Sequence, residues 1–298
     1  MRGLFGAIMQ NVKRIVRASK VYDRGYTGYG IRIALLDTGA FLHNDLKNRI
    51  VWFKDYIKGR TISYDDNGHG THIAGILCGQ QKNGYRHMGM CVGAELVVFK
   101  VLDEKGNGKT EYAIDALEWI QKNHLQYNIR ILNFSMGYLP SANKHLQQTL
   151  LKKLEELWDE GVVVVTAAGN NGPNENSITV PGISRKVITV GAINDVNSSS
   201  SYSGNGPTSC CIVKPEILAP GDDILSLSNQ GGYVKKTGTS MATPIVSGAL
   251  ALALEKKKSL TPVELKLLLY DSVQRFSKKR INSPAWGILD VDKLMEML

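Results

Sequence analysis

The sequence predicts one doubly wound α/β domain, a mostly parallel sheet with helices on both faces. Three observations predict it. Val162–Ala168 is an almost unbroken β-branched run, as a strand buried on both faces requires. Several such apolar runs are interleaved with helical segments. No internal repeat or linker divides the 298 residues, which are enough chain to bury a substantial core.

In chain order, the turn Gly25-Tyr26-Thr27-Gly28 leads into a strand at Ile31–Leu36, and Phe41–Tyr64 reads as irregular. Glu95–Leu102 reads as a strand, Thr110–His124 as an amphipathic helix and Ile129–Ser135 as a strand. Asn143–Glu160 reads as a helix with Gly161 as its stop signal. Val187–Ala192 and Glu216–Leu218 are further strands, and the loop Asn194–Ser209 is rich in Ser, Gly and Asn. Another strand ends near Lys236. The apolar run Ile245–Leu254 follows, ended by Glu255-Lys256-Lys257-Lys258. A closing helix spans Thr261–Phe276, with Thr261-Pro262-Val263-Glu264 as its start signal.

Hydrophobic content of 43% with 21% charged residues is ordinary for a globular enzyme. No apolar run approaches the roughly 20 residues that span a bilayer. The net charge of +9 is uneven, because residues 1–60 hold 12 Lys/Arg against 4 Asp/Glu. Such a field suits acidic partners or anionic lipid, and a solubilising basic face explains it more simply. Nothing resembles a nucleic-acid module. Of the four cysteines, Cys210 and Cys211 are adjacent and poorly placed to bridge each other. No CxxC spacing marks a metal site, so free thiols are expected, with a Cys78–Cys91 bridge as the alternative.

Residues 1–10 stand as an N-terminal extension before a domain at 11–298. Their apolar run Leu4–Met9 is short, and a basic stretch follows in place of a cleavage site. That pattern is not a secretory signal, so a cytoplasmic location is expected, with secretion by a route that uses no such signal, or of a truncated form, as the alternative. Leu4, Phe5, Ile8, Met9, Val12, Ile15 and Val16 fall at helical spacing among basic residues. They fit a helix docked on the core, or one at a membrane surface. No membrane contact is expected, and the sequence sets no oligomeric state.

Three stretches carry chemistry. Gly238-Thr239-Ser240-Met241-Ala242-Thr243-Pro244 places a serine at a helix start, where converging backbone N–H groups favour a developing negative charge. Pro244 is expected in the first turn, where its missing N–H has no partner. Read alone, the stretch fits an ordinary N-capping cluster equally well. Leu35-Leu36-Asp37-Thr38-Gly39 ends a strand with an acid, and Asn67-Gly68-His69-Gly70-Thr71-His72 sets a histidine between glycines at a helix entry. Acid, imidazole and hydroxyl therefore stand at element edges in the order Asp…His…Ser, the order of subtilisin.

On these motifs the chain resembles the subtilisin-like serine peptidases from about Val12 to its C-terminus. The resemblance implies a serine endopeptidase in which His69 is the base for Ser240 and Asp37 orients it, with His72 packed inward. It makes Asn170, in Ala167-Ala168-Gly169-Asn170, the oxyanion donor beside the Ser240 N–H. It implies a peptide or protein substrate lying extended between Leu102–Gly108, including Gly106, and Ser135-Met136-Gly137. Ala168 and Gly169 would wall the S1 pocket, with Thr179 at a base position often held by glycine. The chemistry needs no cofactor. Structural calcium is the one metal implied, with Asp45 and Asn83 as candidate ligands, but the loop Gly79–Met90 carries Lys82, Arg86 and His87, poor company for a hard cation. Other readings are a peptide-binding pseudoprotease and a maturation protease for one specific peptide. Intracellular relatives implied by the missing signal lead to a further expectation, that Met1–Gln10 adds its backbone to the Leu102–Gly108 edge and inhibits.

Overall fold

The computed structural model describes residues 2–80, 89–138, 144–193, 202–276 and 283–298, with side chains from residue 9 onward. The chain opens with helices α1 (Arg2–Ile15) and α2 (Ser19–Asp23), then strand β1 (Arg32–Asp37), a 3-10 turn at Asn44–Leu46 and β2 (Ile50–Asp55). There follow α3 (His69–Cys78), β3 (Glu95–Lys100), α4 (Thr110–Asn123), β4 (Ile129–Phe134), α5 (Lys144–Asp159), β5 (Val163–Ala167) and β6 (Ile188–Ala192). The last third holds β7 (Ile217–Ala219), β8 (Ile224–Leu227), β9 (Tyr233–Lys236), α6 (Thr239–Lys256), α7 (Pro262–Ser272), β10 (Gly287–Ile288) and α8 (Val291–Glu296).

Eight strands form one sheet in the order β10-β7-β6-β5-β4-β1-β3-β2. Every neighbouring pair in it is parallel. Every residue of β5 and β6 is buried, which is why these strands read as continuous apolar runs. β1 pairs with β3 on one side and β4 on the other, so the winding reverses there. A crevice opens beyond the carboxyl ends of strands at such a switch point. Asp37 is the last residue of β1, and Ser135 lies just past β4. α6 runs through the interior against β4, β5, β6 and β7. All its residues from Met241 to Leu254 are buried, so it is apolar all round.

Three features differ from the sequence reading. The stretch expected to be irregular contains β2, a half-exposed edge strand whose Trp52 stacks on Trp119 with centroids 4.1 Å apart. Pro244 is the sixth residue of α6, in its second turn rather than its first, so it offers no N–H to the Ser240 carbonyl. α1 runs without a break across the 10/11 boundary, with Met9, Val12 and Val16 buried in the core. Core docking therefore accounts for Met9, Val12 and Val16, while Ile15 is exposed and the side chains of Leu4, Phe5 and Ile8 lie outside the described residues. A segment whose backbone bonds are made within its own helix offers no strand to the Leu102–Gly108 edge, so the inhibitory strand is not formed.

All four cysteines are free, Cys78 and Cys91 buried and Cys210 and Cys211 exposed. Among the described residues no helix is long and apolar enough to cross a membrane.

Candidate active site

β1 delivers Asp37 fully buried at its end, and the carboxylate Oδ1 accepts two hydrogen bonds. One comes from Thr38 N at 2.7 Å and the other from His69 Nδ1 at 2.7 Å. Asp37 Oδ2 is buried with no hydrogen-bond partner among the described residues. His69 opens α3, and Asp65 builds that helix start. Its Oδ1 accepts from Asn67 N and Gly68 N, and its Oδ2 accepts from the N and Oγ1 of Thr71.

A proton on Nδ1 facing Asp37 leaves the Nε2 lone pair open. Burial lowers the His69 pKa, but the charge and hydrogen bond of Asp37 outweigh it, against opposition from Lys236. The net shift is upward from 6.5. His72 behaves oppositely. Its Nε2 donates to the carbonyls of Ile224 and Val234, at 3.0 and 3.1 Å, and burial pulls its pKa to about 3. It is a neutral core histidine.

Ser240 is the second residue of α6, after Gly238 in a backbone conformation (φ +152°) that only glycine adopts freely. A first-turn N–H such as that of Ser240 has no partner within its helix. His69 and Ser240 line one cavity of about 460 Å3. No hydrogen bond joins them among the described residues, and catalytic contacts of this kind often tighten only when substrate binds.

Asn170 lines the same cavity, and Thr239 fixes its amide. Thr239 N and Thr239 Oγ1 each lie 3.0 Å from Asn170 Oδ1. Both donate there, so the oxygen is spoken for, and the NH2 end makes no hydrogen bond among the described residues. Thr239 Oγ1 also accepts from Gly169 N at 3.1 Å. This orienting threonine escaped the sequence reading although it sits inside the serine motif.

Leu102, Gly106, Ser135, Met136, Gly137, Gly169 and Thr179 line the cavity too. Met136 and Gly137 donate no backbone hydrogen bond among the described residues, which leaves that edge open to an extended chain. Two expected residues lie elsewhere. Gly108 borders a neighbouring cavity of about 260 Å3 that shares Leu102, Gly106, Met136 and Gly137 as a common wall. Ala168 is fully buried, and its carbonyl braces Thr179 through Thr179 N at 2.9 Å and Oγ1 at 3.3 Å. Ala167 borders the cavity in its place. Thr179 is wedged between both walls, because a Cβ on Gly137 or Gly169 would collide with its side chain.

Of the two candidate calcium ligands, the structure describes only Asp45. Asp45 is buried, its Oδ2 accepting from the Tyr233 hydroxyl at 2.5 Å. Asn83 lies outside the described residues. Among the described residues no three His, Cys, Asp or Glu are grouped to hold a metal. Among the described residues Asp45 is one engaged carboxylate, short of the about six to eight oxygens such an ion takes, and most of the Gly79–Met90 loop lies outside them.

Fold and cleft together define a serine peptidase built on a parallel α/β sheet. The chain belongs to the subtilase family, whose model matches residues 28–287. It is 37% identical over 319 residues to Serine protease AprX of Bacillus subtilis (strain 168), covering 96% of this chain and 71% of that protein. Subtilisin DY of Bacillus licheniformis is 33% identical over 255 residues, covering 85% of this chain and 86% of its own length. Among solved structures, a cold adapted subtilisin-like serine proteinase superposes with a TM-score of 0.74 at 30% identity, covering 89% of this chain and 90% of its own. Sphericase does so with a TM-score of 0.75 at 29% identity, covering 88% of each chain.

Proposed function

We propose that this chain cleaves peptide bonds by acyl transfer through Ser240. His69 Nε2 takes the Ser240 proton as Oγ attacks the scissile carbonyl carbon, and Asp37 stabilises the imidazolium that forms. The Asn170 amide and the Ser240 backbone N–H bind the oxyanion of the tetrahedral intermediate. Collapse breaks the C–N bond, and His69 returns its proton to the leaving amine. Water, activated by the same imidazole, then hydrolyses the ester on Ser240. The observation that carries this reading is the 2.7 Å contact between His69 Nδ1 and buried Asp37, with His69 and Ser240 on one cavity.

The substrate lies extended with its backbone along Met136–Gly137 and the Leu102–Gly106 side. Its P1 side chain enters over Thr179, and a second apolar side chain enters the smaller cavity beyond Met136. A fluorophosphonate serine probe tests the reading. The folded protein should label with one equivalent, and Ser240→Ala should abolish labelling while the circular dichroism spectrum stays unchanged. A wild-type protein that refuses the probe would leave a peptide-binding pseudoprotease.

A further inference from the structure

Lys100 closes β3, in register with Asp37 on the neighbouring strand. Its side chain is fully buried, an expensive place for an ammonium. All three of its N–H donors are used. Nζ lies 2.7 Å from Thr38 O, 2.8 Å from Leu102 O and 2.7 Å from Asp66 Oδ1. The Tyr64 ring lies 5.1 Å from the ammonium.

The three acceptors belong to three parts of the site. Thr38 is the turn that follows Asp37, and its hydroxyl accepts from Gly70 N in the histidine helix at 2.9 Å. Asp66 lies in the turn that leads to His69, and Lys58 holds it from outside at 2.9 Å. Leu102 begins the edge that borders the cavity. The sheet does not need this ion, because β1 and β3 already pair along their full length through the backbone. Backbone bonds from Val101 N and Leu102 N to Asp37 O, and an isolated bridge between Gly39 and Asp65, join these segments in pairs; the ammonium adds one tie that holds all three at a single point.

We propose that Lys100 is a positioning residue for the peptidase reaction, its ammonium fixing the Asp37 turn, the approach to His69 and the substrate edge in one frame. The proposal rests on the acyl-transfer reading. Displacing reacting groups by about 1 Å costs up to about 100-fold in rate, so a tie at this point is felt in turnover. Arginine cannot replace it, because a planar fork does not reach three divergent acceptors.

The test compares the wild-type full chain with Lys100→Met and Asp66→Ala, with active sites counted by fluorophosphonate titration. Two substrates carry the same P1 residue, one a tetrapeptide amide and the other a single-residue ester. In Lys100→Met, kcat per titrated site should fall about 10- to 100-fold on both substrates. KM should rise on the tetrapeptide and hold on the ester, because only the longer chain uses the Leu102 edge. Asp66→Ala should show the same split at smaller amplitude, and its side chain is 26% exposed, so it serves if Lys100→Met does not fold. Unchanged kinetic constants per titrated site, with only the melting temperature or the titratable fraction lowered, would overturn the proposal. A wild-type chain that does not titrate would instead overturn acyl transfer.

Discussion

One residue before Ser240, Thr239 holds the oxygen of Asn170 with its N–H and its hydroxyl, so the amide's donor end cannot turn away from the cavity. A donor fixed before the charge appears costs no reorganisation when it does. Asn170→Ala should therefore lower kcat with little change in KM, raising the barrier by about 2.7–4 kcal/mol, the cost known for the oxyanion asparagine of subtilisin itself. An unchanged kcat would remove Asn170 from the oxyanion role. On the proposed reading the pH dependence follows from His69, which as the base accepts a proton only when neutral. Its pKa lies above 6.5, so activity should fall as pH drops through that raised value. Lys236 holds the pKa down from where Asp37 alone would put it. In Lys236→Gln the acid limb of the kcat/KM profile should move to higher pH, and a limb that stays put would contradict the electrostatic account. The element-edge positions of Asp37, His69, Ser240 and Asn170 were legible because each stands in a motif. Lys100 was not, because a lysine ending an apolar strand reads as the strand reaching solvent. Its burial depends on three acceptors that are remote in sequence or hidden in backbone carbonyls.

At the scale of elements, the pocket base is formed by segments meeting across the cleft. Tyr138 and Val180 pair through backbone hydrogen bonds of 3.1 and 3.0 Å, which brings Thr179 against Gly137 and Gly169. A side chain at that junction shortens the pocket, so medium apolar P1 residues should be cleaved faster than Phe or Tyr. Thr179→Gly should reverse the order in a P1-varied peptide library. Phe or Tyr leading already in the wild type, with no response to Thr179→Gly, would sink this assignment. The central strands were readable because burial on both faces leaves a continuous apolar run. β2 was not, because a half-exposed edge strand mixes Lys54 and exposed Val51 with aromatics whose partners, Phe99 and Trp119, are remote in sequence. The apolar spacing across residues 4–16 was visible, but the sequence could not say what faced it. The buried Met9, Val12 and Val16 supply that answer for the described part of the stretch, where Ile15 stays exposed.

For the whole molecule, the doubly wound sheet puts the reacting groups on different elements that converge at its carboxyl edge. β1 brings Asp37, α3 brings His69, α6 brings Ser240, and the segment after β5 brings Asn170. On the proposed reading, such convergence serves one chemical event, the transfer of an acyl group to Ser240. The most direct measurement traps that intermediate. The enzyme is mixed with an activated peptide ester, quenched in acid within the first turnover and digested for mass spectrometry. The acyl mass should appear on the peptide containing Ser240, rise and decay with turnover, and be absent in Ser240→Ala. Turnover with no adduct at any time, or an adduct on a different side chain, would contradict the account.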